Sequence, residues 1–345
     1  MNKYLSEKKN CFIVAELSAN HGGKLSTAVE TVRAAKRAGA DAIKLQTYTA
    51  DTITLDVKND YFKISQGTYW DNQYLYDLYK KASLPWKWHQ KLFQVAKEEG
   101  LLCFSSPFDN SAVDFLEELG NPIYKVASFE VTDIPLIKYI AEKGKPIMIS
   151  TGVANISDIE LAIETCRSVG NNQITILKCT SSYPSLPEEC NLITIKDVAR
   201  RFDVEIGLSD HSLGLEVPVV AVSMGAKVIE KHFILNKNID GPDSHFSLDE
   251  NEFSKMVKAV RNAELILGNV DYRMTKSSKK SKEFSRSLFV VKDVRKHDII
   301  SKENVRSIRP SFGMHPKYFN EILGKKFIKD ICKGEPLSKD DIELY

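Results

Sequence analysis

Val228-Ile229-Glu230-Lys231-His232-Phe233 and, one helix and one turn earlier, Gly207-Leu208-Ser209-Asp210-His211-Ser212 are the stretches from which the fold is read. Each is a short apolar run that suits a buried strand, and each ends in a histidine with carboxylates beside it. Two imidazoles delivered from adjacent strand ends are a natural ligand pair for a divalent metal. A lone histidine of this kind is more often a satisfied core residue. Here the same pattern recurs along the chain.

Working outward, eight such runs appear: 11–17, 42–48, 102–106, 123–128, 146–151, 174–180, 205–210 and 228–233. Amphipathic helical patterns follow them, as in Thr27–Ala38, where Ala28, Val29, Val32 and Ala35 recur at helical spacing before Gly39. The segments 109–119 and 251–267 behave alike and stop at Gly120 and Gly268. Apolar runs alternating with helices predict buried parallel strands. Eight units in about 260 residues match an α/β fold of the (β/α)8 TIM-barrel type. A doubly wound open sheet is the alternative, but it concentrates its site at one switch point. Here every strand ends in chemically useful groups.

The barrel pattern ends near Leu267-Gly268, which places a barrel domain at 1–270, a linker at 271–285 and a small β-rich module at 286–345. The lysine-rich run 276–282 reads as solvated linker. About sixty residues are marginal alone, so the module is expected to dock on its own barrel or on a partner. A second feature is the long excursion from Thr49 to Pro85, rich in Tyr and carrying Trp70. It lies between the second strand and its helix, so it either roofs the barrel mouth or forms a packing surface.

The formal net charge of the 345 residues is only +2, which argues against nucleic acid or a membrane surface as partner. The six cysteines show no C-x-x-C spacing, and Cys11, Cys103 and Cys179 sit inside apolar runs. They read as reduced core thiols of a cytoplasmic protein. Residues 1–10 are polar and unlike a signal peptide, and no stretch is long and apolar enough to span a bilayer.

The strand ends supply Glu16, Lys44 with Gln46, Ser106, Lys125 with Ser128, Ser150, Ser181 with Tyr183, Ser209 with His211, and Glu230 with His232. Alternation puts Lys44 and Gln46 on one face of their strand, and Glu230 and His232 on one face of theirs. A lysine within such a strand either snorkels outward or sits in the mouth with an anion. Two lysines with several hydroxyls make a cradle for a phosphate or carboxylate. The carboxylates Glu16, Glu230 and Asp243 leave room for a polar, uncharged second substrate. Residue chemistry thus predicts a metal-dependent barrel enzyme with an anionic substrate.

Nearly end to end, the chain resembles the sialic acid synthase family. The matching blocks are Ala15-Glu16 with Asn20-His21-Gly22, Asp41–Thr47, Phe104–Asp109, Tyr124–Ser128, Ser150-Thr151-Gly152, Ser209–Ser212, Ile229–Phe233 and Gly241-Pro242-Asp243. From about Arg286 the chain looks like that family's antifreeze-like (SAF) domain, while Gly23 and Ser311 depart from the pattern. The resemblance implies condensation of phosphoenolpyruvate with an amino sugar in a domain-swapped homodimer. It implies that Lys44, Ser106, Lys125, Ser128, Ser150, Ser181 and Ser209 hold phosphoenolpyruvate. His211 and His232 would bind the metal, with manganese expected and magnesium or cobalt as alternatives. Glu16, Gln46, Tyr183, Glu230 and Asp243 would face the sugar, and Arg309 of a partner's C-terminal domain would reach it. Within the family, Gly67–Trp70, Ser128-Phe129-Glu130 and Gly241–Ser247 lean toward the branch whose acceptor is a 6-deoxy diacetamido sugar, with Phe129 and Phe246 making its site apolar. N-acetylmannosamine or a related diacetamido sugar is the alternative.

Overall fold

A computed structural model describes residues 10–343 of the chain. The polar start of the sequence, where no signal peptide is expected, lies outside the described residues apart from Asn10. The chain divides into two compact units, Met1–Gly268 and Asn269–Tyr345.

In the first unit eight parallel strands close into a barrel in chain order. They are β1 (Phe12–Glu16), β2 (Ala42–Thr47), β3 (Leu102–Pro107), β4 (Tyr124–Val126), β5 (Ile147–Ser150), β6 (Ile174–Cys179), β7 (Glu205–Asp210) and β8 (Val228–His232). Alternation sorts each strand into two faces. Phe12, Val14, Ala42, Phe104, Ile123, Met148, Leu177 and Val228 pack together as the inner plug. Ile13, Ala15, Ile43, Leu45, Tyr124 and Val126 join the larger core with the surrounding helices. The inner plug leaves no space at Gly207, where a Cβ would lie 2.6 Å from Leu177 and 2.7 Å from Val228.

The helices start and stop for local reasons. Asn110–Glu118 begins at Asp109, whose carboxylate accepts from the Ala112 amide. Glu250–Leu267 begins at a capping box made by Asp249 and Glu252. The helix Leu25–Arg37 is followed by Gly39, whose φ of 91° favours glycine.

The second unit has its own core of Leu288, Val290, Val294, Ile300, Val305, Ile322, Phe327, Ile331, Leu337 and Ile342. It contains one antiparallel pair, β9 (Ser287–Val290) and β10 (Val305–Ile308), plus isolated bridges such as Phe327 with Ile342. The stretch read as a linker is not coil throughout. An exposed helix, Lys276–Ser281, is capped by Thr275. It carries no apolar stripe, so periodicity does not reveal it. All six cysteines are free, and no helix among the described residues is long and apolar enough to cross a membrane.

One buried ion pair ties β7 to β8. Lys231 donates to Asp210 and to the Ser212 carbonyl (2.6 Å), and Asp210 Oδ1 accepts from the Ser212 amide and hydroxyl. Both charges are almost fully buried. Lys231→Met would leave Asp210 buried without its cation and is expected to cost about 3–5 kcal/mol. Chemical denaturation reads this, and a loss below about 0.5 kcal/mol would show that the pair does not hold the strands.

Candidate active site

The inward positions at the C-terminal ends of the strands carry the chemistry. Register sets neighbours: Glu16 lies beside Lys44 on β2 and beside His232 on β8, and Ser209 lies beside Glu230. Lys44 Nζ is 2.7 Å from Glu16 Oε2, 3.7 Å from Glu230 Oε1, and donates to Ser106 Oγ at 3.3 Å. Lys125 Nζ donates to Ser150 Oγ at 2.7 Å and to the Val126 carbonyl at 2.8 Å, and lies 4.0 Å from Glu230. Ser209 donates to Glu230 Oε1 at 3.0 Å, and Gln46 Nε2 donates to Glu16 Oε1 at 3.0 Å. Both lysines therefore point into the mouth rather than snorkelling outward, and each shares a carboxylate.

Burial and charge oppose each other here. Burial pushes the Glu16 carboxyl up to about 7, against the pull of Lys44. Burial also acts on Glu230, but Lys44 and Lys125 outweigh it and hold that group below the usual range. Burial would lower Lys44, and the Glu16 and Glu230 carboxylates reverse this, whereas Lys125 stays lowered by burial.

A cluster of hydroxyls continues the wall. Ser181 Oγ donates to Ser128 Oγ at 2.8 Å, and the Val153 amide donates to Ser128 Oγ at 3.2 Å. Ser128 is not on its strand. The chain leaves β4 at Val126 and enters a 3-10 turn, Ser128–Glu130, so alternation does not govern its direction. Gly152 makes the cluster possible, because a Cβ there would overlap Ser181 Oγ and sit 2.8 Å from Ser128 Oγ.

On the other side stand the histidines. Their ring centroids are 5.4 Å apart. His211 Nδ1 faces the Thr180 carbonyl at 2.9 Å, which fixes Nδ1 as a donor. Burial would lower this ring, and Cys179, the Thr180 carbonyl and Asp210 reverse that and hold it above its ordinary value. His232 Nδ1 is buried without a hydrogen-bond partner, 3.7 Å from Asp243 Oδ2. Burial and the neighbouring positive groups hold His232 well below its ordinary value, so the ring is neutral. Two adjacent imidazoles fit a divalent cation, which takes them in their neutral form. Among the described residues no group of three or more His, Cys, Asp or Glu side chains is arranged to hold one.

Tyr183 packs on His211 at 4.2 Å between centroids. Asp243 accepts from the Ala19 amide at 3.4 Å, and burial raises its carboxyl. The two phenylalanines expected at the sugar site differ. Phe246 is 1% exposed behind His232, while Phe129 is 62% exposed. Arg309 is exposed in the second unit, just after β10. The barrel mouth thus gathers the expected polar site residues of the first unit, and Phe129 is not brought among them.

Cys179 escaped the sequence reading as a site member, and Glu130 was read only as a strand-end group and part of the Ser128-Phe129-Glu130 block. Glu130 is half-buried, its buried Oε2 lacks a hydrogen-bond partner, and desolvation pushes its carboxyl up to about 7 against the pull of Lys125. Its strand-end position was the available signal. Cys179, read as a core thiol, faces inward with Sγ 3.8 Å from both His211 Nδ1 and Ser181 Oγ.

The hydroxyl cluster suits an oxyanion. Gly152→Ala is expected to preserve the fold and weaken binding of inorganic phosphate about tenfold, or ~1.4 kcal/mol. Calorimetry measures this, and unchanged affinity would separate the cluster from anion binding.

Comparison with known proteins identifies the family. The NeuB family pattern matches residues 31–272, and the SAF domain pattern matches residues 285–343. The pseudaminic acid synthase of Campylobacter jejuni subsp. jejuni serotype O:23/36 (strain 81-176) is 48% identical over 333 residues, 96% of this chain and 97% of that protein. The N,N'-diacetyllegionaminic acid synthase of Legionella pneumophila is 35% identical over 96% of this chain and 95% of that protein. The crystal structure of N-acetylneuraminic acid synthetase from Leptospira borgpetersenii superposes with a TM-score of 0.71 at 30% identity, covering 79% of this chain and 90% of that one.

Proposed function

We propose that this chain, which belongs to the NeuB family, condenses phosphoenolpyruvate with 2,4-diacetamido-2,4,6-trideoxy-altrose, giving pseudaminic acid and phosphate. The observation that carries the reading is the composition of one mouth: two lysines and five hydroxyl-bearing positions on one side, two buried imidazoles on the other. The acceptor follows from the 48% identity to a pseudaminic acid synthase against 35% to a legionaminic acid synthase.

Lys44 and Lys125 hold the donor's carboxylate and phosphate, with Ser106, Ser128, Ser150, Ser181 and Ser209 as hydroxyl partners. The entering anion competes with Glu16 and Glu230 for the two ammonium groups. Gln46, Tyr183 and Asp243 orient the acceptor so that its open-chain aldehyde lies by the histidines. His211 and His232 would hold a divalent ion, with manganese expected, which would supply Lewis-acid polarisation at that aldehyde. The donor's methylene carbon forms the new carbon–carbon bond, and the aldehyde oxygen takes up a proton. Positive charge then builds on the donor carbon that bears the phosphate ester. Glu16 positions and deprotonates a water that adds to this carbon, and phosphate leaves with cleavage of its carbon–oxygen bond. Glu230, bonded to Ser209 and flanked by both lysines, keeps the cradle from reorganising as charge moves. The roles of Arg309 on the sugar, and of a homodimer that brings it from a second copy, rest on the family resemblance alone.

A donor–acceptor panel read by mass spectrometry tests the reading. Phosphoenolpyruvate should be consumed with release of phosphate. The 6-deoxy diacetamido acceptor should be preferred over N-acetylmannosamine by at least about tenfold in kcat/KM, or ~1.4 kcal/mol. Equal turnover of N-acetylmannosamine moves the chain to the sialic acid branch, and pyruvate as donor removes the condensation altogether.

His211→Ala and His232→Ala should each abolish turnover and weaken manganese binding, measured by electron paramagnetic resonance, with the far-UV dichroism unchanged. Normal activity of either variant in chelator-treated buffer would withdraw the metal assignment.

A further inference from the structure

The excursion between β2 and its helix does more than cover the barrel. Its tip, residues 66–71, is internally built. The Asp71 carboxylate accepts from the amides of Gln66 (3.2 Å), Gly67 (2.9 Å) and Thr68 (2.8 Å), and from the Thr68 hydroxyl (2.9 Å). Paired backbone bonds between Ile64 and Gln73 and between Asn72 and Ile64, both 2.9 Å, close its base. The tip's shape is therefore set by its own residues before it touches anything else.

This preformed tip carries two large aromatic side chains to the loops after β6 and β8. Trp70 Nε1 donates to the Pro242 carbonyl at 3.0 Å, one residue before Asp243. Its ring meets Tyr183 edge-on at 5.7 Å, and Tyr69 stacks on His245 at 4.2 Å. Tyr183 itself lies on His211, so a continuous row of rings runs from Trp70 through Tyr183 and His211 to His232. Phe246 is sealed behind this row. Trp70 is only half-buried, and surface remains for a ligand to cover.

We propose that the Trp70 indole is the wall of the acceptor side of the mouth and a determinant of which amino sugar is taken. This rests on the condensation proposed above. An acceptor whose aldehyde lies by the histidines must extend away from the lysine and serine cradle, which the donor fills. The ring row bounds that space. Trp70's one polar hydrogen is spent on Pro242, so the indole offers the sugar carbon surface alone. Such a surface gains contact from C–H and methyl groups and gives nothing to a hydroxyl, which would lose its water there. Discrimination by an apolar wall is modest by nature, about 10–200-fold, and this sets the scale of the effect.

The test uses Trp70→Ala and Trp70→Phe in the full-length protein, with initial rates at varied donor and varied acceptor. Trp70→Ala should raise the acceptor KM about tenfold, leave the donor KM within about twofold, and narrow the preference for the 6-deoxy acceptor. Trp70→Phe keeps a ring without the N–H and should recover most of the loss. Equal impairment of both variants would assign the effect to the Pro242 hydrogen bond and overturn the wall. So would an unchanged acceptor KM in an active Trp70→Ala enzyme, or a donor KM that rises in step with it. A wild-type protein that consumes phosphoenolpyruvate with none of the amino sugars overturns the condensation, and this inference falls with it.

Discussion

An ammonium group inside a closed barrel costs several kcal/mol in lost hydration, and only a nearby anion makes the position tolerable. Lys44 meets this condition through Glu16 at 2.7 Å and Glu230 at 3.7 Å, and Lys125 shares the same Glu230. The constraint reaches far along the chain. It requires an acid at the end of β1 and another near the end of β8, on strands whose sequence separation exceeds two hundred residues. Barrel closure is what makes β1 and β8 neighbours. A barrel that failed to close would leave Lys44 without half of its counter-charge. The interior ionic group thus links topology to site, although replacing such groups with apolar side chains would often stabilise the fold itself.

The same two closing strands use both of their faces. Inward, β7 and β8 present Ser209, Glu230 and His232, with His211 just beyond. Outward, they carry Asp210 and Lys231, locked together with Ser212. The outer pair fixes the relative slide of the strands, and the inner histidines stand at the ends of those strands. Bulk apolar packing is weakly directional and tolerates small slides. A buried salt bridge with three further hydrogen bonds is not so tolerant. Electrostatics outside the barrel therefore supports geometry inside it.

The barrel was legible because parallel strands buried on both faces read as nearly continuous apolar runs, interrupted only where an inward position holds a functional group. Lys44, Gln46, Glu230 and His232 are such interruptions, and the structure directs all four inward. What alternation cannot describe begins where strands end. Ser128 reaches the cradle through a 3-10 turn, Gly152 matters for the volume that it leaves open, and Trp70 meets a carbonyl 172 positions away. None of these leaves a periodic trace. Phe129 and Phe246 look equivalent in the sequence, yet one is exposed and the other sealed, since burial of a loop residue depends on which loops pack over it. The helix at 276–281 was missed because it is polar all round.

Charge also explains why the site keeps a carboxyl near neutrality. Lys44 and Lys125 are already partnered by Glu16 and Glu230. A donor bearing a carboxylate and a phosphate adds negative charge to a space from which water is largely excluded, and two lysines already in partnership cannot absorb all of it. Burial has pushed the Glu16 carboxyl up to about 7, against the pull of Lys44. A group that has to take a proton from water in one step and release it in another works best with its pKa near the ambient pH. The desolvation that makes Lys44 costly is thus the same property that makes Glu16 serviceable as a base.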